Sequence, residues 1–109
     1  ELYDNPVVIL GNMGELGENE VLYHKNVGKY LANLNNKNVK YLTVGNLAAE
    51  TGKILSQQGF SVKSFNSNEE VSCYILENLN NSYTIFLKAS RSMKFEQILD
   101  NIKRGICKL

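Results

Sequence analysis

The sequence has no tryptophan, one proline, one histidine and two cysteines, and each scarcity removes a class of protein. Two cysteines without C-x-x-C spacing argue against both a structural zinc site and a disulfide-dense secreted scaffold. A lone histidine, His24, has no neighbouring ligands with which to build a metal centre. No apolar run reaches the roughly 18 residues of a membrane span, and the N-terminus has no basic region leading into an apolar signal core. A cytoplasmic location is the expectation. Charge of one sign is missing as well. Twelve basic against 11 acidic side chains leave a formal charge of +1, which gives no electrostatic footprint for nucleic acid. The phosphate-binding fingerprints G-x-x-x-x-G-K-[ST] and G-x-G-x-x-G do not occur.

What is present is an alternation of apolar runs and amphipathic stretches. At 109 residues and 43% apolar content the chain is one domain with a single core. Val7-Val8-Ile9-Leu10, ended by Gly11, suits a strand covered on both faces. A helix is expected from Glu20 to Leu34, with Val21, Val27, Leu31 and Leu34 as its apolar stripe and Tyr23 and Tyr30 widening it. Gly28 weakens that helix by about 1 kcal/mol but permits close packing against a sheet. Val39 to Val44 reads as a second strand and Leu47 to Gln58 as a helix stopped by Gly59. Ser61 to Phe65 reads as a third strand. Ser67-Asn68-Glu69-Glu70 has capping-box spacing ahead of a helix to Leu79, on which Cys73 falls. Tyr83 to Leu87 is a fourth strand. A last helix starts after Ser92 with Phe95, Ile98, Leu99 and Ile102 facing the core.

Four βα units in single file imply an α/β domain with a mostly parallel sheet and right-handed crossovers. Local pattern leaves two strand orders open, 3-2-1-4 and 2-1-3-4. In the first, strands one and four are neighbours, and the loop Gly11 to Glu18 meets the segment Lys88-Ala89-Ser90-Arg91. Loops at the carboxyl ends of parallel strands are the usual ligand site of such a sheet.

Glu15 and Glu18 can receive a cationic group, or they are solvated acids at the positive end of a helix. His24 is read as a hydrogen-bonding group outside a ligand cluster, or as a purely structural one. Lys88 and Arg91 can hold a carboxylate or phosphate, Arg as a bidentate fork and Lys as a movable point charge. An ion pair with Glu15 is the alternative for Arg91, and helix capping the alternative for Ser90. Ser90 has no base spaced to make it a nucleophile.

These residues carry a resemblance. The run Val8-Ile9-Leu10-Gly11-Asn12-Met13-Gly14-Glu15-Leu16-Gly17, then His24 with Val27-Gly28, then Val44-Gly45, and finally Leu87-Lys88-Ala89-Ser90-Arg91-Ser92-Met93 with Phe95-Glu96 is similar to the C-terminal domain of the Mur ligases. The resemblance covers almost the whole chain and is closest to members that add D-alanyl-D-alanine to UDP-N-acetylmuramoyl-tripeptide. It implies a Rossmann-like fold, so 3-2-1-4 is the expected strand order. It also implies a peptidoglycan-precursor ligase of three domains, in which residues 1–109 are the substrate-closing domain. The central ATPase and N-terminal domains lie outside this sequence. The complete enzyme would use ATP and Mg2+ to activate the tripeptide carboxylate as an acyl phosphate, which the dipeptide amine attacks.

The same resemblance makes Asn12, Glu15, His24, Lys88, Ser90 and Arg91 substrate-positioning residues. Asn12 stands where the family has Asp, and Ala89 where it has Gly. Asp4-Asn5-Pro6 does not supply the family's opening helix, so one sheet face is expected to be less covered, with self-association through an apolar patch. Alone, the domain is expected to be inactive. From the residues without the resemblance, a stand-alone small-molecule or partner-binding module at the same loops is the competing reading.

Overall fold

A computed structural model describes residues 5–13, 19–34, 36–79, 83–89 and 93–105. Strands β1 (Pro6–Gly11), β2 (Lys40–Val44), β3 (Ser61–Phe65) and β4 (Thr84–Lys88) alternate with helices α1 (Glu20–Asn33), α2 (Asn46–Gln57), α3 (Asn68–Asn78) and α4 (Glu96–Arg104). The sheet order is β3-β2-β1-β4 and every pairing is parallel, which settles the choice in favour of the Rossmann-like half. β1 and β2 are the interior strands, and both are apolar on both faces. Val7 and Ile9 join Leu42, Val44, Val71 and Ile98 beneath α3 and α4, whereas Leu10 joins Tyr41, Leu55 and Phe60 beneath α2. Burial in that second cluster pushes the Tyr41 phenol above its ordinary value. β3 presents exposed Ser61, Lys63 and Ser64, a polar edge that discourages pairing with another chain.

Helix termini follow their local chemistry. Ser67 Oγ accepts from the Glu70 N–H at 3.2 Å, as a capping box requires. The Glu70 carboxylate, however, accepts from the Asn66 N–H at 2.7 Å, one residue ahead of the cap. Cys73 is buried on α3 and disulfide-bonded, a pairing the spacing of the cysteines did not call for.

Two helical faces differ from expectation. On α1, Val21, Tyr23, Tyr30 and Leu34 are exposed, and the buried line runs through His24 and Gly28. The reason is that α1 lies mainly on α2, not on the sheet. A Cβ at Gly28 would come within 2.8 Å of Ile54 Cβ and 2.9 Å of the Thr51 carbonyl, so glycine here serves helix-to-helix contact. On α4, Phe95 and Ile98 are buried and Ile102 packs beside them, but Leu99 is exposed. Helices lie on both sides of the sheet, and coverage thins at the β4 edge, where Phe86 is 40% exposed.

Candidate functional site

The carboxyl ends of β1 and β4 lie side by side, with Leu10 paired to Lys88. Beyond that pair the backbones close in. A Cβ on Gly11 would lie 2.7 Å from Ala89 Cβ and 2.6 Å from the Phe95 ring, so Gly11 makes room for the alanine and the ring together. Ala89 needs no special backbone. Among the described residues only Asn5 and Lys94 are non-glycines with positive φ. Ala89 is accommodated by the absence of a side chain at Gly11.

Between β1, β4, α1 and α2 lies a small cavity of about 90 Å3, lined by Leu10, Gly11, Met13, Val27, His24 and Thr51 with Tyr23 and Lys88 completing it. Its walls are mainly apolar. Lys88 supplies its one cation, and among the described residues no carboxylate pairs with that ammonium. An anion with a compact aliphatic group matches such a lining. Met13, Tyr23, Val27 and Thr51 were not named as site residues from the sequence, because nothing in their local pattern ties them to Lys88 until the fold places them around it.

His24 is 2% exposed and both ring nitrogens are engaged within the domain. Nε2 accepts from the Met13 N–H at 3.1 Å, and Nδ1 donates to the Glu20 carbonyl at 2.6 Å. Thr51 Oγ1 donates to the His24 carbonyl and ties this turn of α1 to α2. The imidazole thus acts on the loop after β1 and has no free nitrogen for a ligand.

Asn12 is likewise occupied. Its Oδ1 accepts from the Ala48 N–H at 2.8 Å, and its Nδ2 donates to Asn46 Oδ1 at 3.3 Å. Gly45, the residue at the α2 N-cap, has no side chain to satisfy the first-turn donors. Asn12 supplies that cap from another strand. A bare glycine before a helix was the sequence signal that a cap is borrowed from elsewhere. Asn12→Ala is expected to lower stability by about 1 kcal/mol in urea denaturation. Asn12→Asp keeps the acceptor and gains charge at the helix N-terminus but loses the Asn46 bond, and should stay within roughly 0.5 kcal/mol of the parent.

Glu15, Glu18, Ser90 and Arg91 lie outside the described residues, as does the suggested Glu15–Arg91 ion pair. The described residues contain no group of three or more His, Cys, Asp or Glu side chains that could hold a metal ion. No described helix is long and apolar enough to cross a membrane.

No protein-family model matches the chain. Among curated proteins it is 37% identical over 100 residues to the UDP-N-acetylmuramoyl-tripeptide–D-alanyl-D-alanine ligase of Buchnera aphidicola subsp. Baizongia pistaciae, covering 86% of this chain and 20% of that protein. It is 32% identical over 103 residues to the Haemophilus influenzae enzyme of the same name, covering 92% and 22% respectively. The chain therefore spans about a fifth of the length of the curated relatives it matches. Among solved structures, MurF from Acinetobacter baumannii superposes with a TM-score of 0.75 at 21% identity, over 91% of this chain and 22% of that one, and so shares the fold.

Proposed function

The chain is homologous to the C-terminal-like domain of the UDP-N-acetylmuramoyl-tripeptide–D-alanyl-D-alanine ligases, and on that premise we propose that it is the substrate-closing domain of such a ligase. Its role is to form one wall of a site that the N-terminal and central ATPase domains complete. The observation that carries this reading is the meeting of the β1 and β4 carboxyl ends around Lys88 and an apolar cavity. In this role Lys88 receives the carboxylate of D-alanyl-D-alanine, and the cavity takes a methyl group. By their match to the family's K-G-S-R and E-L-G segments, Ser90, Arg91 and Glu15 are assigned to positioning the same dipeptide. Holding the dipeptide in one orientation presents its amine to the activated tripeptide carboxyl, and such positioning lowers the barrier by removing translational and rotational freedom.

In this reading ATP and Mg2+ serve the complete enzyme and are held by its central domain, since the G-x-x-x-x-G-K-[ST] phosphate loop does not occur in this sequence. The isolated domain is expected to be inactive. Asn12 and His24 contribute through the loop they brace.

Exchanging the corresponding fifth of the Haemophilus influenzae enzyme for this chain tests the proposal. The chimera should release ADP only when both the UDP-linked tripeptide and D-alanyl-D-alanine are supplied. Lys88→Met should lower kcat/KM for the dipeptide about tenfold, the loss expected for one charge-assisted hydrogen bond. A folded chimera without dipeptide-dependent turnover would sink the reading, and an undiminished Lys88→Met chimera would remove Lys88 from it.

A further inference from the structure

We propose that His24 is a proton-sensitive latch that holds the loop after β1 only while its imidazole is neutral. The argument rests on partners of fixed polarity. The Met13 N–H can only donate, so Nε2, at 3.1 Å, must carry a lone pair. The Glu20 carbonyl can only accept, so Nδ1, at 2.6 Å, must carry the proton. One of three protonation states fits, the neutral Nδ1–H tautomer. The other tautomer sets lone pair against lone pair at Glu20 and proton against proton at Met13. The imidazolium keeps the Glu20 bond but turns the Met13 contact into two opposed donors.

Burial makes that conflict consequential. His24 is 2% exposed, so water cannot readily substitute at Nε2. The ring cannot slide away along the helix, because Thr51 bonds the His24 carbonyl and Gly28, one turn later, is seated against Ile54. The partner outside any helix or strand is Met13, two residues past the end of β1. Among the described residues, those that share the cavity with the ring and can carry charge or a hydroxyl are Tyr23, edge-on with ring centroids 5.6 Å apart on α1, Thr51 on α2 and Lys88 at the end of β4. No described carboxylate lines the cavity to balance a second cation beside Lys88. Acidification therefore releases Met13, and with it the wall of the Lys88 cavity. The latch stands on these contacts alone. Its effect on catalysis rests on the ligase reading above.

The test is nitrogen-15 NMR on the 109-residue chain, following the His24 ring and the Met13 amide together from about pH 8 to about pH 5. At the alkaline end the His24 ring should show the Nδ1–H tautomer. On acidification the Met13 amide resonance should shift with the same midpoint as the ring. Its protection against hydrogen exchange, corrected for intrinsic rates, should fall roughly tenfold. His24→Gln offers an amide oxygen near the Nε2 position that does not titrate, and should keep Met13 protected at both ends of the range. His24→Ala should lose the protection at all pH values. An Nε2–H tautomer in the parent chain, or a Met13 amide that ignores the ring titration, overturns the proposal even if neither variant folds. In the ligase chimera, His24→Gln should extend activity to lower pH. A chimera with no activity would refute the ligase reading and leave the NMR result to decide the latch.

Discussion

Gly28→Val is expected to destabilise the chain by about 3 kcal/mol, the upper part of the range for overpacking a closed contact. A side chain at this position meets two different obstacles. Ile54 Cβ, 2.8 Å from the added carbon, belongs to a side chain, but the Thr51 carbonyl, 2.9 Å away, is backbone and cannot repack. Trimming Ile54 to alanine retains the Cβ and so gives no relief. Gly28→Ala isolates the same effect from side-chain bulk. Alanine gains about 1 kcal/mol of helix propensity over glycine, so a net loss of stability would mean the contact outweighs that gain. Urea denaturation of both variants gives the magnitudes. The Met13 amide shift gives the functional consequence, because α1 must move off α2 and carry His24 with it. An alanine variant more stable than the parent would show that α1 does not depend on this contact.

This dependence explains what was legible in the sequence. The strands were, because β-branched runs such as Val7-Val8-Ile9 and the break at Gly11 reflect local burial and turn chemistry. Their neighbours in the sheet were not, since a strand's own pattern says nothing about which strand lies beside it. The 3-2-1-4 order came through family resemblance. The face of α1 was read only in part: Leu31 packs against the core and Val27 lines the cavity, as the stripe implies. Val21, Tyr23, Tyr30 and Leu34 point outward, while a histidine and a glycine are the fully buried residues. A hydrophobicity pattern scores both of those as poor core residues.

The site shows the same division. Lys88 was recognised as a cation beside a strand end, which follows from its position alone. The tasks of Asn12 and His24 were not, because both are set by partners distant in sequence. Asn12 serves Ala48, 36 residues on, and His24 serves Met13, 11 residues back. Residue type announced their hydrogen-bonding capacity, and only the fold decided that backbone groups would consume it.

Asn68→Ala should cost about 2 kcal/mol, because one amide group here satisfies several acceptors on another segment. Asn68 opens α3 and is 9% exposed. Its Nδ2 donates to the Met93 carbonyl at 2.8 Å, to the Lys94 carbonyl at 3.3 Å and to Gln97 Oε1 at 3.1 Å. Lys94 has φ 52, a left-handed conformation unfavourable for lysine, so the clamp sits on a strained turn just before α4. Without the donor, the part-buried Met93 carbonyl loses its partner, the Lys94 carbonyl keeps only the Gln97 N–H at 2.9 Å, and the turn loses its tie to α3. The consequence reaches the site through Phe95, the next residue, whose ring packs against Gly11 at the end of β1. Asn68→Asp distinguishes hydrogen bonding from packing. It preserves shape and suits a helix N-terminus by charge, yet it turns an acceptor toward three acceptors. The aspartate variant should therefore be less stable than the alanine variant at neutral pH and recover as acid protonates the carboxyl and returns a donor. Denaturation midpoints at the two pH values check this, with hydrogen exchange at Ile98 reporting the first turn of α4. An aspartate variant as stable as the parent at neutral pH would mean that the amide donor is not what holds the turn.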